Sequence, residues 1–154
     1  MEHRSFEQLH ATAAVTAKLR LFTERDERLE RWAEVLEREP RRCLPTLHRL
    51  EFVSRSERRD LRTEGSAISV AFADPLLRAS GLAGDTYGDA REFFGLSERQ
   101  AHRLLCSCLN GASVEARPIA AALRKMVSRE SAWSELLQSL RLGLSLLFSI
   151  PRSG

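Results

Sequence analysis

Long apolar runs, paired-cysteine motifs and lysine are scarce in this sequence. No uninterrupted apolar stretch follows the polar opening Met1-Glu2-His3-Arg4-Ser5, which argues against a secretory signal or lipidation motif there and sets a bacterial-type cytoplasm as the expected compartment. Three cysteines, Cys43, Cys106 and Cys108, are an odd number without an export signal, so reduced thiols are expected rather than a disulfide framework. No C-x-x-C or H-x-x-x-H spacing occurs, which removes the commonest local signatures of a metal site. Of the 24 basic residues only Lys18 and Lys125 are lysines. An arginine's planar fork suits carboxylate and phosphate pairing, although genome base composition produces the same bias.

With 154 residues, 43% hydrophobic and 29% charged, the chain is long enough to bury one substantial core, and a single domain over 1–154 is expected. The net charge of +3 is small, but it is unevenly spread. Residues 24–39 hold seven acids and four arginines, whereas residues 41–62 hold seven arginines and three acids. An acidic segment beside a basic one can attract an anionic partner or simply its neighbour.

The apolar spacing predicts helices along most of the chain. Ser5 caps a first one carrying Phe6, Leu9, Ala13 and Ala17. Thr23 with Asp26 starts a second, whose stripe is Leu29, Trp32, Ala33 and Leu36 and which Pro40 ends. Around that stripe Glu24 with Arg28, Glu27 with Arg31 and Glu34 with Arg38 fall at i,i+4, the acid first. Leu44, Leu47, Leu50 and Val53 suggest a third helix over 44–53, with Pro45 in its first turn. Residues 67–72 alternate as a strand would, but nothing else in the chain reads as a partner strand, so an extended or irregular connector is expected. Asp74-Pro75 opens a short helix that Gly81 ends, and Thr86 with Asp89 opens another that ends at Gly95. Ser97 with Gln100 forms a capping box for a helix over 98–109, striped by Ala101, Leu104, Leu105 and Cys108. Ser113 caps the next, which starts or kinks near Arg117-Pro118, and Ser131 begins a last helix over 132–149. The expected fold is therefore all-α, a single bundle of about seven short helices without a solenoid repeat.

Residues 85–111 give two helices hinged at Phe94-Gly95-Leu96-Ser97, as in a helix-turn-helix reader of DNA. In that reading Arg99, Gln100, His102 and Arg103 project toward base edges, where arginine bridges guanine and glutamine bridges adenine, and the arginines of 41–62 grip phosphates. Arg91 stands where such motifs keep a small buried residue, so a plain αα-corner is the commoner explanation. Cys43, His102, Cys106 and Cys108 are the candidate thiol and imidazole cluster, with His102 and Cys106 at i,i+4 on one helical face. Packed thiols explain them more economically, and no orienting acid is identifiable for a Cys-His nucleophile.

The tail Leu142–Ile150 is apolar on nearly all sides, while Glu135 and Arg141 interrupt the run that leads into it, so it is too short and too charged to span a bilayer. It is expected in the core or at a dimer seam formed through 133–150.

Arg31-Trp-Ala-Glu-Val-Leu-Glu-Arg38, Ile68-Ser-Val-Ala-Phe-Ala-Asp-Pro75 and Gly84-Asp-Thr-Tyr-Gly-Asp-Ala-Arg-Glu-Phe-Phe94 resemble segments in a group of small proteobacterial proteins. The resemblance covers about 25–111 and implies a small cytoplasmic bacterial protein, with no active-site residue carried over. That group often has histidine after the second cysteine of its C-x-C pair; Leu109 stands there in this chain, which argues against a metal or redox role. The functional expectation is a binding or regulatory protein, without catalysis or cofactor, acting on a protein partner or by self-association. The alternatives are a DNA-binding regulator and a Cys/His metal or cofactor sensor.

Overall fold

A computed structural model describes residues 22–48, 53–129 and 132. The expected first helix and the apolar helix 132–149, apart from residue 132, lie outside the described residues, and so does any seam through 133–150. The described chain is mainly helical, but it also contains a small two-stranded sheet that the sequence did not suggest.

Helix α1, Arg25–Glu37, begins one residue later than expected, because Glu24 and Glu27 form the capping box. Leu29, Trp32, Ala33 and Leu36 are buried as their spacing requires. The charged face is used differently from the expected i,i+4 pairs. Arg28 donates to the carbonyls of Phe22, Thr23 and Phe93, while Arg31 reaches across to Asp74. These arginines tie segments together rather than decorate a solvated surface.

The stretch expected as a helix over 44–53 is extended where it is described. Strand β1, Cys43–Pro45, pairs antiparallel with strand β2, Ser113–Glu115, with Leu44 opposite Val114. Leu44 and Leu47 are both buried, but their three-residue spacing comes from a strand followed by a bridge to Cys106. Proline at the end of a short ladder sacrifices no central hydrogen bond. The Thr46 hydroxyl donates to Gly111 O at 2.6 Å, extending the connection beyond the strands.

A 3-10 turn, Glu57–Asp60, precedes helix α2, Ala67–Ala73, where an extended connector had been expected. Ala67, Ile68 and Ala71 are buried and Val70 and Phe72 are partly buried, so nearly the whole circumference is covered and alternation carries no information about period. Helix α3, Pro75–Ala79, starts as expected: Asp74 accepts from the amides of Leu76 and Leu77, and Pro75 occupies a position whose missing N–H costs nothing.

Helix α4, Tyr87–Phe93, and helix α5, Glu98–Leu105, begin where expected; the capping box expected at Ser97/Gln100 is present, and Thr86 with Asp89, expected as a helix start, forms one as well. Between them Gly95 adopts φ +58°, and Leu96 N donates back to Arg91 O at 2.9 Å, the closure of a Schellman turn. Helix α5 ends earlier than expected. Cys106 is extended and buried, and only a short helix α6, Ser107–Asn110, follows. The break is set at long range, by Leu47 N donating to Leu105 O at 2.8 Å. Helix α7 covers 116–129 after β2, so Ser113 is in a strand rather than at a cap; Pro118 lies in the first turn, where helix amides have no partner.

One core runs through these elements, from Leu29 to Leu123. Trp32 donates its indole N–H to Ala67 O at 3.0 Å and stacks on Phe94 with ring centroids 4.3 Å apart. Arg31 forks onto Asp74, Nη2 to Oδ2 at 2.7 Å and Nε to Oδ1 at 3.4 Å. Burial alone would raise the Asp74 pKa, but Arg31 and the two cap amides outweigh it and hold it below the ordinary value.

Asp74→Asn should therefore lower stability by about 1–3 kcal/mol, since it removes the buried charge and leaves the half-buried Arg31 guanidinium poorly matched. With its folded-state pKa below the unfolded value of about 3.9, Asp74 stabilises fully above that value and loses the contribution as pH falls through the folded-state pKa. Urea titrations across acidic pH should show this loss in the native chain and a shallower one in the variant; parallel curves would contradict the assignment. Gly88→Ala should cost about 1–3 kcal/mol by overpacking, because an added Cβ would lie 2.9 Å from the Arg59 carbonyl oxygen.

Candidate binding groove

Helices α4 and α5 do form a corner, as the spacing around Gly95 predicts, but its chemistry is that of an internal joint. Glu98, in the first turn of α5, accepts from the Tyr87 hydroxyl at 3.0 Å, from Arg58 at 3.2 Å and from Arg91 at 2.7 Å. Burial would raise the Glu98 pKa; these donors reverse that and lower it. Tyr87 is pushed well above the ordinary phenol range by burial and by Glu98 beside it. Arg91, the residue that seemed to obstruct helix packing, lies half-exposed along the joint and pairs with Glu98. The close approach on α4 is made by Gly88 against Arg59, on the side of the 3-10 turn rather than of α5.

The four candidate DNA-contacting residues do not act as one row. Arg99 and Arg103 are exposed and Gln100 is half-buried, and all three border a groove of about 230 Å³ between α5 and α7. His102 faces elsewhere. Gln100 spends its amide oxygen on the cap, accepting from Ser97 N at 2.8 Å, so it has no free acceptor and donor pair for adenine. The opposite wall carries Lys125 and Arg129, and Leu104, Ala122 and Met126 complete the lining. Among the described residues none of Arg99, Arg103, Lys125 or Arg129 has an acidic partner, and no acidic residue lines the groove. Sequence reasoning found Arg99 and Arg103 but missed Lys125 and Arg129. Their own i,i+4 spacing was readable; their position opposite α5 was not.

Two of the larger clefts carry ion pairs in their walls. One of about 480 Å³ is bordered by Arg38, Glu39, Arg42, Glu64 and Asp74, with Arg42 and Glu39 paired at 3.7 Å and Asp74 held by Arg31. Another of about 340 Å³ holds Arg55, Arg58, Arg59 and Arg91, but Arg58 and Arg91 serve Glu98 and Arg59 serves Glu92 at 2.9 Å.

The thiol and imidazole residues are dispersed. Cys43 is exposed on β1, Cys106 is buried, and Cys108 is exposed on α6. The expected pairing of His102 with Cys106 is replaced by one with Cys108, because α5 stops before Cys106 can continue the helical face. Cys108 Sγ lies 3.5 Å from Nδ1 and 3.6 Å from Nε2 of His102. The sulfur is thus nearly equidistant from the two ring nitrogens. His48 Nδ1 lies 3.1 Å from Thr46 O and does not join them. Among the described residues no group of three or more His, Cys, Asp or Glu side chains is arranged to hold a metal ion.

No helix among the described residues is long and apolar enough to cross a membrane. The chain matches no known family, no curated protein and no solved structure.

Burial divides the thiols. A maleimide reagent followed by mass mapping should label Cys43 and Cys108 in the folded protein, while Cys106 should wait for denaturant. Native labelling of Cys106 as fast as the other two would contradict its placement beneath the Leu47 bridge.

Proposed function

We propose that this chain is a binding and regulatory protein without catalytic activity of its own, and that it acts by docking an anionic partner on the groove between α5 and α7. The observation that carries this reading is the convergence of four cations, all without acidic partners among the described residues, around an apolar lining. By contrast Arg124, next to Lys125 on the same helix, forks onto Glu37 at 3.0 and 3.3 Å. Four like charges on facing helix walls repel one another mildly, and an anionic partner converts that repulsion into attraction. A catalytic role has weaker support, because the His102 ring donates no orienting hydrogen bond to a carboxylate among the described residues.

DNA binding is the second reading, and the same cations favour it. Arg99 with Arg103 and Lys125 with Arg129 are rows that suit phosphate contacts, although the base-reading role of Gln100 is lost to its cap.

Both readings predict that polyglutamate binds the native chain and that Arg103→Glu with Lys125→Glu weakens it by about ten-fold or more. The double substitution should shift stability by no more than about 0.5 kcal/mol, since both side chains are exposed. Titration by fluorescence anisotropy, with a thermal melt of each protein, checks this. Equal affinity of the native and substituted chains would overturn the groove as the docking face. Duplex DNA titrated in parallel should bind with a steep salt dependence only if the second reading holds.

A further inference from the structure

Resting on the docking reading above, we infer that the partner is an acidic amphipathic helix of another protein, seated between α5 and α7 with its apolar side chains on Leu104, Ala122 and Met126. Three features of the groove carry this.

The first is the lining. Leu104 is buried, and Ala122 and Met126 are half-buried between the two cationic rows. A phosphate backbone gains nothing from such a floor, whereas an apolar side chain removes the exposed parts of Ala122 and Met126 from water at about 25 cal/mol per Å². Methionine at the centre adapts its unbranched side chain to whatever enters, as on other surfaces that receive helices.

The second is spacing. Arg99 with Arg103 on one wall, and Lys125 with Arg129 on the other, are each one turn apart, about 6 Å along the helix axis. Acids at i,i+4 on a docked helix repeat at the same interval, so two carboxylates on each flank of an apolar stripe meet a guanidinium or ammonium in register.

The third is shape. The groove is concave and bounded by two helices, the form in which an amphipathic helix lays down its apolar stripe. In a major-groove reader the recognition helix stands proud instead. Here α7 flanks α5 along its cationic side, and Gln100 is tied to Ser97.

The test uses the full chain and three fluorescent probes at near-physiological ionic strength. One is a short helix-forming peptide with glutamates at i,i+4 flanking a leucine stripe. The second replaces every leucine with glutamine, which has a similar helix propensity and leaves the charge unchanged. The third is a duplex DNA of comparable length. The leucine peptide should bind about ten-fold more tightly than the glutamine peptide, a difference of about 1.4 kcal/mol. Met126→Gln should remove most of that advantage while leaving the glutamine peptide's affinity unchanged. Arg103→Glu with Lys125→Glu should weaken both peptides, with the thermal midpoint reporting that each variant is folded. Equal affinities for the two peptides, both lost on charge reversal, would overturn the helix partner and leave anionic docking standing. Duplex DNA bound more tightly than the leucine peptide would overturn it in favour of nucleic acid. Binding of no probe would overturn both the helix partner and the docking face.

Discussion

The buried indole of Trp32 is the contact through which the described helices share one frame. Its N–H closes on Ala67 O and fixes where α2 begins, and its ring stacks on Phe94 at the turn between α4 and α5. Two separate segments are thereby held to the middle of α1. Truncating a fully buried aromatic of this kind removes about 3–5 kcal/mol, a large share of the stability of an ordinary domain. Arginines from the same helix finish the attachment. Arg25 Nε donates to the carbonyls of Phe94 and Gly95, Arg28 to that of Phe93, and Arg31 to Asp74 at the start of α3. Helix C-termini present carbonyls without partners, and α1 supplies cations to the one at the end of α4.

That frame sets the groove at one remove. Phe94 anchors the turn that starts α5, and Glu98 locks the first turn of α5 to Tyr87, Arg58 and Arg91. Helix α7 is placed independently, by Leu123 in the core and by Arg124 on Glu37 of α1. Both walls are thus braced from behind by ion pairs, while their facing sides carry cations without acids. The contrast between Arg124 and Lys125, adjacent in sequence and opposite in use, shows that acidic neighbours were available to α7 and were taken up on only one of its faces.

Local signals in the sequence are strong where a helix begins with its own side chains. The capping boxes at Thr86 and Ser97, the Asp74-Pro75 start and the stripe through Trp32 all follow from neighbouring residues, and all are present in the structure. What the sequence hides is decided at a distance. Strand β1 exists because residues 113–115 lie beside it, and α5 stops at Leu105 because Leu47 takes its carbonyl; neither partner is visible in the local pattern. Helix α2 was obscured for a different reason, since a segment covered on nearly all sides has no polar face from which to read a period. Half of the candidate groove was legible in the same sense. Arg99 and Arg103 were singled out as exposed cations on a capped helix, whereas the wall that makes them a groove depends on the packing of α7.

The most direct measurement is a map of backbone amide shifts in the folded chain as the acidic, leucine-bearing peptide is added. Perturbations concentrated at 99–105 and 122–129, on both walls together, are the predicted result. Shifts centred on the arginines at 55–59 and on 87–92, or spread evenly over the surface, would contradict docking between α5 and α7.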